Sequence, residues 1–417
     1  MLAVFRSRKM TILALLGFSS GLPLYLTSRT LQAWMTVEGV NLTAIGFFSL
    51  ASLPYSLKFL WAPVLDRFSF ARLGRRKGWL LAAQASLTVA IALMAFQRPA
   101  AALQLVALNA LVIAFLSATQ DITIDAYRVD VLQPRETGAG AAVSVLGYRV
   151  ALIVIGSGAL ILADRISWPA VYLIAAGTML ATLAASILVP EPQSAQAPPQ
   201  SMRDAVRLPL VDYIERMGAG RGAWILVFIV LYRLGDSMIN NMTTPFLLQS
   251  GFTQTDVGAV QGAVGIVATI AGILAGGGIL SRIGVYSSLW VFGALQAVSN
   301  LAYLALAQSG ANYSLMVGTI IVENFCFGLG SAALLGFLIG LCNPRFSATQ
   351  YALLSSVLGF SRDVIVAPVG SIAEITGWPL FFLISFLAAL PALFLLPTIR
   401  DFVKDLPSGI RERESSV

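Results

Sequence analysis

Histidine is absent from the 417 residues, and cysteine occurs only twice. Without an imidazole there is no histidine-based triad, no histidine metal ligand and no side chain that ordinarily titrates near neutrality. Cys326 and Cys342 stand in one apolar region and suit neither a disulfide framework nor a zinc site. No metal and no cofactor are therefore expected. Charge is scarce too: 11% of residues are Asp, Glu, Lys or Arg, against 57% hydrophobic, where a soluble domain carries about a quarter charged. A water-soluble chain this apolar could not cover its surface, so a polytopic membrane protein is expected. Backbone hydrogen bonding in lipid leaves helices or a closed barrel. The apolar runs are long and continuous rather than alternating, which decides for an all-α integral membrane protein.

What is present is a series of apolar runs of about twenty residues, the length needed to cross the hydrocarbon. Twelve spans are expected, at 11–35, 44–66, 79–97, 101–127, 138–163, 168–189, 223–247, 257–280, 286–307, 313–341, 347–374 and 378–398. The first run reads as a span rather than a cleaved leader, because it is long enough to cross and lacks a small-residue cleavage site. A Pro-, Gln- and charge-rich stretch divides the chain into a six-helix half at 1–189, a linker at 190–222, a second six-helix half at 223–398 and a tail at 399–417. With both termini cytoplasmic, twenty of the 27 Lys and Arg residues fall inside, five lie within spans, and only Arg98 and Arg165 fall outside. That asymmetry is the orientation signal of a multi-pass protein. The net charge of +7 is thus a topology signal and implies no nucleic-acid partner.

The halves repeat. "SVLGYRVALIVIGSGALILADRISWPAVYLI" begins at Ser144 and "SVLGFSRDVIVAPVGSIAEITGWPLFFLI" at Ser356, while Ile45-Gly46 and Val257-Gly258 have the same offset. Two pseudo-symmetric six-helix halves in parallel describe the major facilitator architecture, with a central site between them.

Ten charged residues lie within the spans short of their last positions, where they are expensive and face a cavity or one another. The run "LSATQDITIDAYRVDVL" places Asp121, Asp125 and Arg128 four and three positions apart, on one helix face. Asp121 lies about 13 Å along the helix from Asp130 and Lys58 about 12 Å from Asp66, so a Lys58–Asp121 pair is one arrangement among several. Asp125 and Arg128, nearer the inner end, also suit a gate pair. Arg149, Arg233, Asp236 and Glu323 come out near the midplane, at about 15–20 Å. Arg362 adjoins Asp363. Charges of both signs at the central level suit a polar cargo carrying carboxylates and amines, with Arg the natural bidentate partner of a carboxylate. If protons are moved, buried carboxylates must carry them, because burial brings a carboxyl toward neutral pKa. Asp121, Asp125 and Glu323 are the candidates, in that order.

The loop "DRFSFARLGRRKG", from Asp66 to Gly78, resembles the major facilitator signature between the second and third spans, with Ala62-Pro63 in place of its opening glycine. On that resemblance Asp66, Arg67, Arg75 and Arg76, with Arg128, are gate candidates. Its counterpart "GGGILSRIG" keeps Arg282 but has Ser281 where the acid would stand. The glycines of "GAGAAVSVLG" and "AGGGI" are expected to let helices approach closely.

The blocks "GLPLYLTSRTLQAWMTVEGV", "IGFFSLASLPYSLKFLWAPVLDR", "QDITIDAYRVDVL", "GAGAAVSVLGYR", "VENFCFGLG" and "FSATQYALLSSVLG" resemble the anhydromuropeptide permease (AmpG) family of Gram-negative bacteria, from the first span to the twelfth. Some members carry two further spans, and this chain resembles the shorter form. The resemblance implies a proton-driven, monomeric importer in the inner membrane. Its cargo would be N-acetylglucosamine linked to 1,6-anhydro-N-acetylmuramic acid, with or without a peptide stem. That import feeds peptidoglycan recycling and, through it, β-lactamase induction and β-lactam resistance. For such a cargo Arg149 or Arg362 would take carboxylates and Asp236 or Glu323 amines, with Lys58 and Arg233 also at the site. Tyr148, Gln120, Asn240, Asn241 and Asn324 would serve the sugars.

A facilitator exporter of drugs or small metabolites is the alternative. An intramembrane enzyme is disfavoured by the missing imidazole and the lack of a nucleophile motif, and a receptor by the lack of an output domain.

Overall fold

The computed structural model describes residues 7–70, 73–132, 137–192, 215–341, 354 and 356–400. Most of the expected linker, nearly all of the expected tail, Cys342 and the first residues of the expected eleventh span lie outside the described residues. Among the described residues the structure is helical, with one isolated bridge between Phe70 and Gly74.

Nine helical stretches among the described residues are long and apolar enough to cross a bilayer. One of them, Gln254–Ser309, has 56 residues, about 84 Å of helix against a hydrocarbon core of about 30 Å. It is two crossings: Gly284, at φ 77°, breaks it in a left-handed conformation that side chains resist. Gly377, at φ 71°, divides the eleventh and twelfth spans in the same way.

The second span is not one helix. It runs as Leu42–Phe47, a 3₁₀ turn at Phe48–Ser52, Leu53–Leu57, a second 3₁₀ turn at Lys58–Leu60, and Ala62–Arg67. Pro54 and Pro63 sit in the first positions of the helices they open, where the missing N–H costs nothing, and the turns before them absorb the lost ladder bonds. With this span and the two divided stretches, the described residues account for twelve crossings, the eleventh of them in part. Its outward surface carries bulky apolar side chains, such as Ile375 at 84%, Phe394 at 74% and Leu274 at 72% exposure, which suits lipid and not water.

The chain forms two compact units. The first is Met1–Asn41, Phe48–Gln200 and Thr253–Gly262; the second is Leu42–Phe47, Ser201–Phe252 and Ala263–Val417.

In the first unit, Met10, Leu13, Leu16, Leu80, Ile124 and Tyr127 form a core cluster. The Arg8–Leu26 and Thr137–Ala163 helices cross at near backbone contact. A Cβ on Gly17 would lie 2.1 Å from Ser144 O, and one on Gly147 2.0 Å from Ala14 O. Gly147→Leu is therefore expected to abolish the folded protein in detergent, read as loss of the monodisperse peak on size exclusion. Gly147→Ala should cost about 1–3 kcal/mol by overpacking, read by thermal unfolding. The second unit is built on Phe228, Phe292, Phe337 and Leu338. A further aromatic cluster joins Phe246, Tyr303, Trp378 and Phe382. Of the glycines expected to serve close packing in "AGGGI", Gly276 meets Leu329 and Ala332, but Gly277 and Gly278 have nothing within 4 Å, because they point away from the neighbouring helix.

The repeat has a geometric counterpart. In the second unit Glu374 accepts from Thr43 N at 3.0 Å and Thr43 Oγ1 at 2.6 Å. In the first, Asp164 accepts from Thr255 N at 2.6 Å. Thr43 and Thr255 stand at the same repeat offset as Gly46 and Gly258. Gly46 packs on Gly370 and Gly258 on Ser157. Each short segment is thus anchored by a carboxylate on its first-turn N–H and a small residue one turn on.

Candidate functional site

In the first unit the candidates lie on the Leu103–Val131 helix and the broken second span. Asp121 accepts a hydrogen bond from Ser20 Oγ at 2.5 Å. The residue before it is held the same way: Ser19 Oγ donates to Gln120 Oε1 at 3.1 Å, Gln120 Nε2 donates to Ser19 O at 2.9 Å, and Gln84 Nε2 donates to Ser19 Oγ at 2.8 Å. Adjacent serines on one helix thus receive adjacent polar residues of another. Gln120 is fully buried, and neither end of its amide is offered to a solute.

Lys58 Nζ lies 3.6 Å from Asp125 Oδ2, and Arg128 Nη2 lies 2.9 Å from Asp125 Oδ1. These side chains are 31–52% exposed, so each pair contributes only about 0–1 kcal/mol and is easily exchanged. Lys58 sits in the 3₁₀ turn before Pro63, and the ion pair seen is with Asp125. Arg149 and Tyr148 are half-buried on the Thr137–Ala163 helix.

At the end of this unit Arg76 Nε donates to Asp130 Oδ2 at 2.8 Å, with both side chains at 10% exposure or less. Glu191 accepts from the backbone N–H groups of Arg75, Arg76 and Lys77 at 2.8, 3.0 and 2.7 Å. It caps the Arg76–Met94 helix, whose N-terminal dipole favours an anion. Asp66 and Arg67 end the second span, but their side chains lie outside the described residues. Asp130 and Glu191 were missed by sequence reasoning; the acid in "VPEP", directly after a span end, was the available signal. Glu191→Ala should lower stability by about 1 kcal/mol, read as a lower unfolding temperature.

In the second unit the candidates gather where the seventh span breaks, between Ala219–Tyr232 and Leu234–Gln249. Arg233 occupies the break. Its Nη1 donates to Asp236 Oδ2 at 2.9 Å, its Nη2 donates to Ser331 Oγ at 2.5 Å, and its guanidinium lies 4.4 Å from the Phe327 ring centroid. The pair is only 15% and 4% exposed, so this is a buried ion pair. Asn240 Nδ2 donates to Asp236 O at 3.2 Å. Asn241 Oδ1 is buried without a partner.

On the Tyr313–Leu341 helix Glu323 is buried and accepts from Asn324 Nδ2 at 2.8 Å, while Thr269 Oγ1 donates to Asn324 Oδ1 at 3.1 Å. Arg362 Nε lies 2.9 Å from Asp363 Oδ1, with Arg362 exposed and Asp363 buried. That pair sits in a π-helical turn, Ser361–Ile365, of a kind frequent at functional sites. Among the described residues no group of three or more metal-ligating side chains could hold an ion.

Charged side chains placed at breaks in apolar spans, in a chain built from two repeats, are the pattern of a secondary transporter. The sequence pattern of the Major Facilitator Superfamily matches residues 13–362. The chain is 46% identical over 404 residues to the anhydromuropeptide permease of Escherichia coli, covering 96% of this chain and 81% of that protein. It is 30% identical over 403 residues to "Putative transporter AmpG 4" of Rickettsia felis, covering 94% of this chain and 97% of the relative. The chain belongs to the anhydromuropeptide permease (AmpG) family of the major facilitator superfamily.

A solved nucleoside transporter superposes with a TM-score of 0.72 at 16% identity, covering 94% of this chain and 99% of its own. The inward-open xylose transporter of E. coli gives 0.67 at 10%, covering 92% and 94%. These two likenesses establish the fold alone.

Proposed function

We propose that this protein is a proton-coupled importer of anhydromuropeptides, carrying N-acetylglucosamine-1,6-anhydro-N-acetylmuramic acid, with or without a peptide stem, across the inner membrane. It would work as a monomer with both termini cytoplasmic and perform no catalysis of its own. Its cargo would enter peptidoglycan recycling and so influence β-lactamase induction. The observation that carries the reading is 46% identity over nearly the whole chain to a permease named for that cargo.

The site geometry supports it. In the second unit Arg233 is held beside Asp236, as a fork able to take a lactyl or peptide carboxylate. Arg149 and Arg362 are further carboxylate partners. Asp236 and Glu323 suit peptide amines, and Lys58, Tyr148, Asn240, Asn241 and Asn324 suit the polar cargo around them. Gln120 contributes by holding the helix that carries Asp121.

Asp121 is the first proton carrier, with Asp125 and Glu323 behind it. Arg128, Arg75, Arg76, Asp66 and Arg67 form the cytoplasmic gate. Residues 1–189 and 223–398 act as the two lobes, joined by 190–222 and followed by the tail from 399.

The reading is tested with labelled disaccharide in right-side-out membrane vesicles containing the protein. Uptake that excess unlabelled disaccharide suppresses, and xylose or uridine does not, is the expected result. Absent uptake, or net movement outward only, would overturn it in favour of the exporter.

A further inference from the structure

A groove of about 720 Å³ runs between the Arg76–Met94 and Leu103–Val131 helices of the first unit. It is lined by the small residues Ala85 and Ala90 and by the bulkier Val89, Leu93, Leu108 and Val112, which stand as its walls. The wall residues are between 41% and 60% exposed. The concavity is pinned, because Asn109 Nδ2 donates to Ala90 O at 3.1 Å and ties the two helices together.

Its dimensions match a bilayer leaflet. The groove follows one helix from Leu105 to Leu116, about 17 Å at 1.5 Å per residue. A leaflet contributes about 15 Å of the hydrocarbon core. One end is polar. Gln97 lines it, with its Oε1 buried and without a hydrogen-bond partner. Arg98, the next residue, is exposed and is one of only two basic residues expected on that face. The trough therefore combines an apolar channel one leaflet long with an orphaned acceptor at one end and an exposed cation on the adjoining residue.

We propose that this trough is a binding site for one phosphatidylglycerol molecule. An acyl chain lies in the groove, the phosphate meets Arg98, and a headgroup hydroxyl donates to Gln97 Oε1. The net negative headgroup complements Arg98, and its hydroxyls supply the missing donor. Phosphatidylcholine has no headgroup donor, and phosphatidylethanolamine brings an ammonium group beside the guanidinium. The inference is independent of the transported cargo.

The test is native mass spectrometry of the full chain, moved from nanodiscs of mixed phosphatidylglycerol, phosphatidylethanolamine and phosphatidylcholine into mild detergent. The wild-type chain should retain one phosphatidylglycerol. Leu108→Trp and Val112→Trp, which fill the trough from a lipid-exposed wall, should lose it while eluting normally on size exclusion. Should either variant fail to fold, Arg98→Gln decides the matter, because it leaves the trough intact. It should reduce preference for phosphatidylglycerol over phosphatidylethanolamine about fivefold. A wild-type chain that retains no lipid, retention undiminished in Leu108→Trp, or equal retention of the three lipids would overturn the proposal. So would a wild-type dimer that Leu108→Trp dissociates, since the occupant would then be a second copy of the chain.

Discussion

Asp121→Asn should reduce the accumulation ratio of cargo to about one while leaving the protein folded and able to equilibrate cargo across the membrane. The substitution keeps the shape of the side chain, and Ser20 Oγ, now 2.5 Å from Asp121 Oδ1, can donate equally to an amide oxygen. What is lost is the ability to take up and release a proton. With one proton moved per cargo, a one-unit pH difference supports about tenfold accumulation, so the expected fall is large and easily read. Counterflow of labelled cargo with no gradient should survive, which separates lost coupling from lost folding. Tenfold accumulation retained by Asp121→Asn would remove Asp121 from the mechanism.

The second large effect is on stability. Arg233 and Asp236 form a buried pair at 2.9 Å, and the cost of breaking such a pair is set by the charge left behind. Asp236→Ala leaves a guanidinium in an apolar bundle and should cost about 3–5 kcal/mol. Replacing both, as Arg233→Met with Asp236→Leu, removes both desolvation costs and should recover most of that loss. Thermal unfolding in detergent reads the cycle. A single variant within about 1 kcal/mol of wild type would mean that water reaches the pair and that it behaves as an exposed one. The double variant, stable but without its fork, should bind cargo weakly.

Much of the fold was legible because lipid leaves a chain few options. The span positions followed from run lengths, and the divisions at Gly284 and Gly377 fell where glycines interrupt apolar stretches. The break in the second span was not read, although Pro54 and Pro63 announce it. Counting depth at 1.5 Å per residue assumes an unbroken α-helix, whereas 3₁₀ turns rise about 2.0 Å per residue and turn every three. One such turn, Lys58–Leu60, lies between Lys58 and Asp66; it lengthens the count by only about 1.5 Å but also turns the side chain around the axis, and the ion pair observed is with Asp125.

The Arg233–Asp236 pair was within reach of sequence reasoning, since residues three apart on a helix meet. Ser331 and Phe327, which complete the surroundings of Arg233, come from a span nearly a hundred positions away, and no local pattern marks them. Glu191 was hidden for another reason. Charges just past a span end signal orientation, and nothing in the sequence marks the three backbone donors that converge on this acid. The direction of Gln120 was equally invisible: it neighbours Asp121, yet its amide is spent on Ser19.

The most direct measurement is uptake of radiolabelled anhydromuropeptide by proteoliposomes containing the purified chain, with an imposed inward proton gradient. The account predicts transient accumulation above the external concentration that vanishes when a protonophore is added. Accumulation of the same size after every pH difference and voltage has been collapsed, or none with the gradient intact, would contradict it.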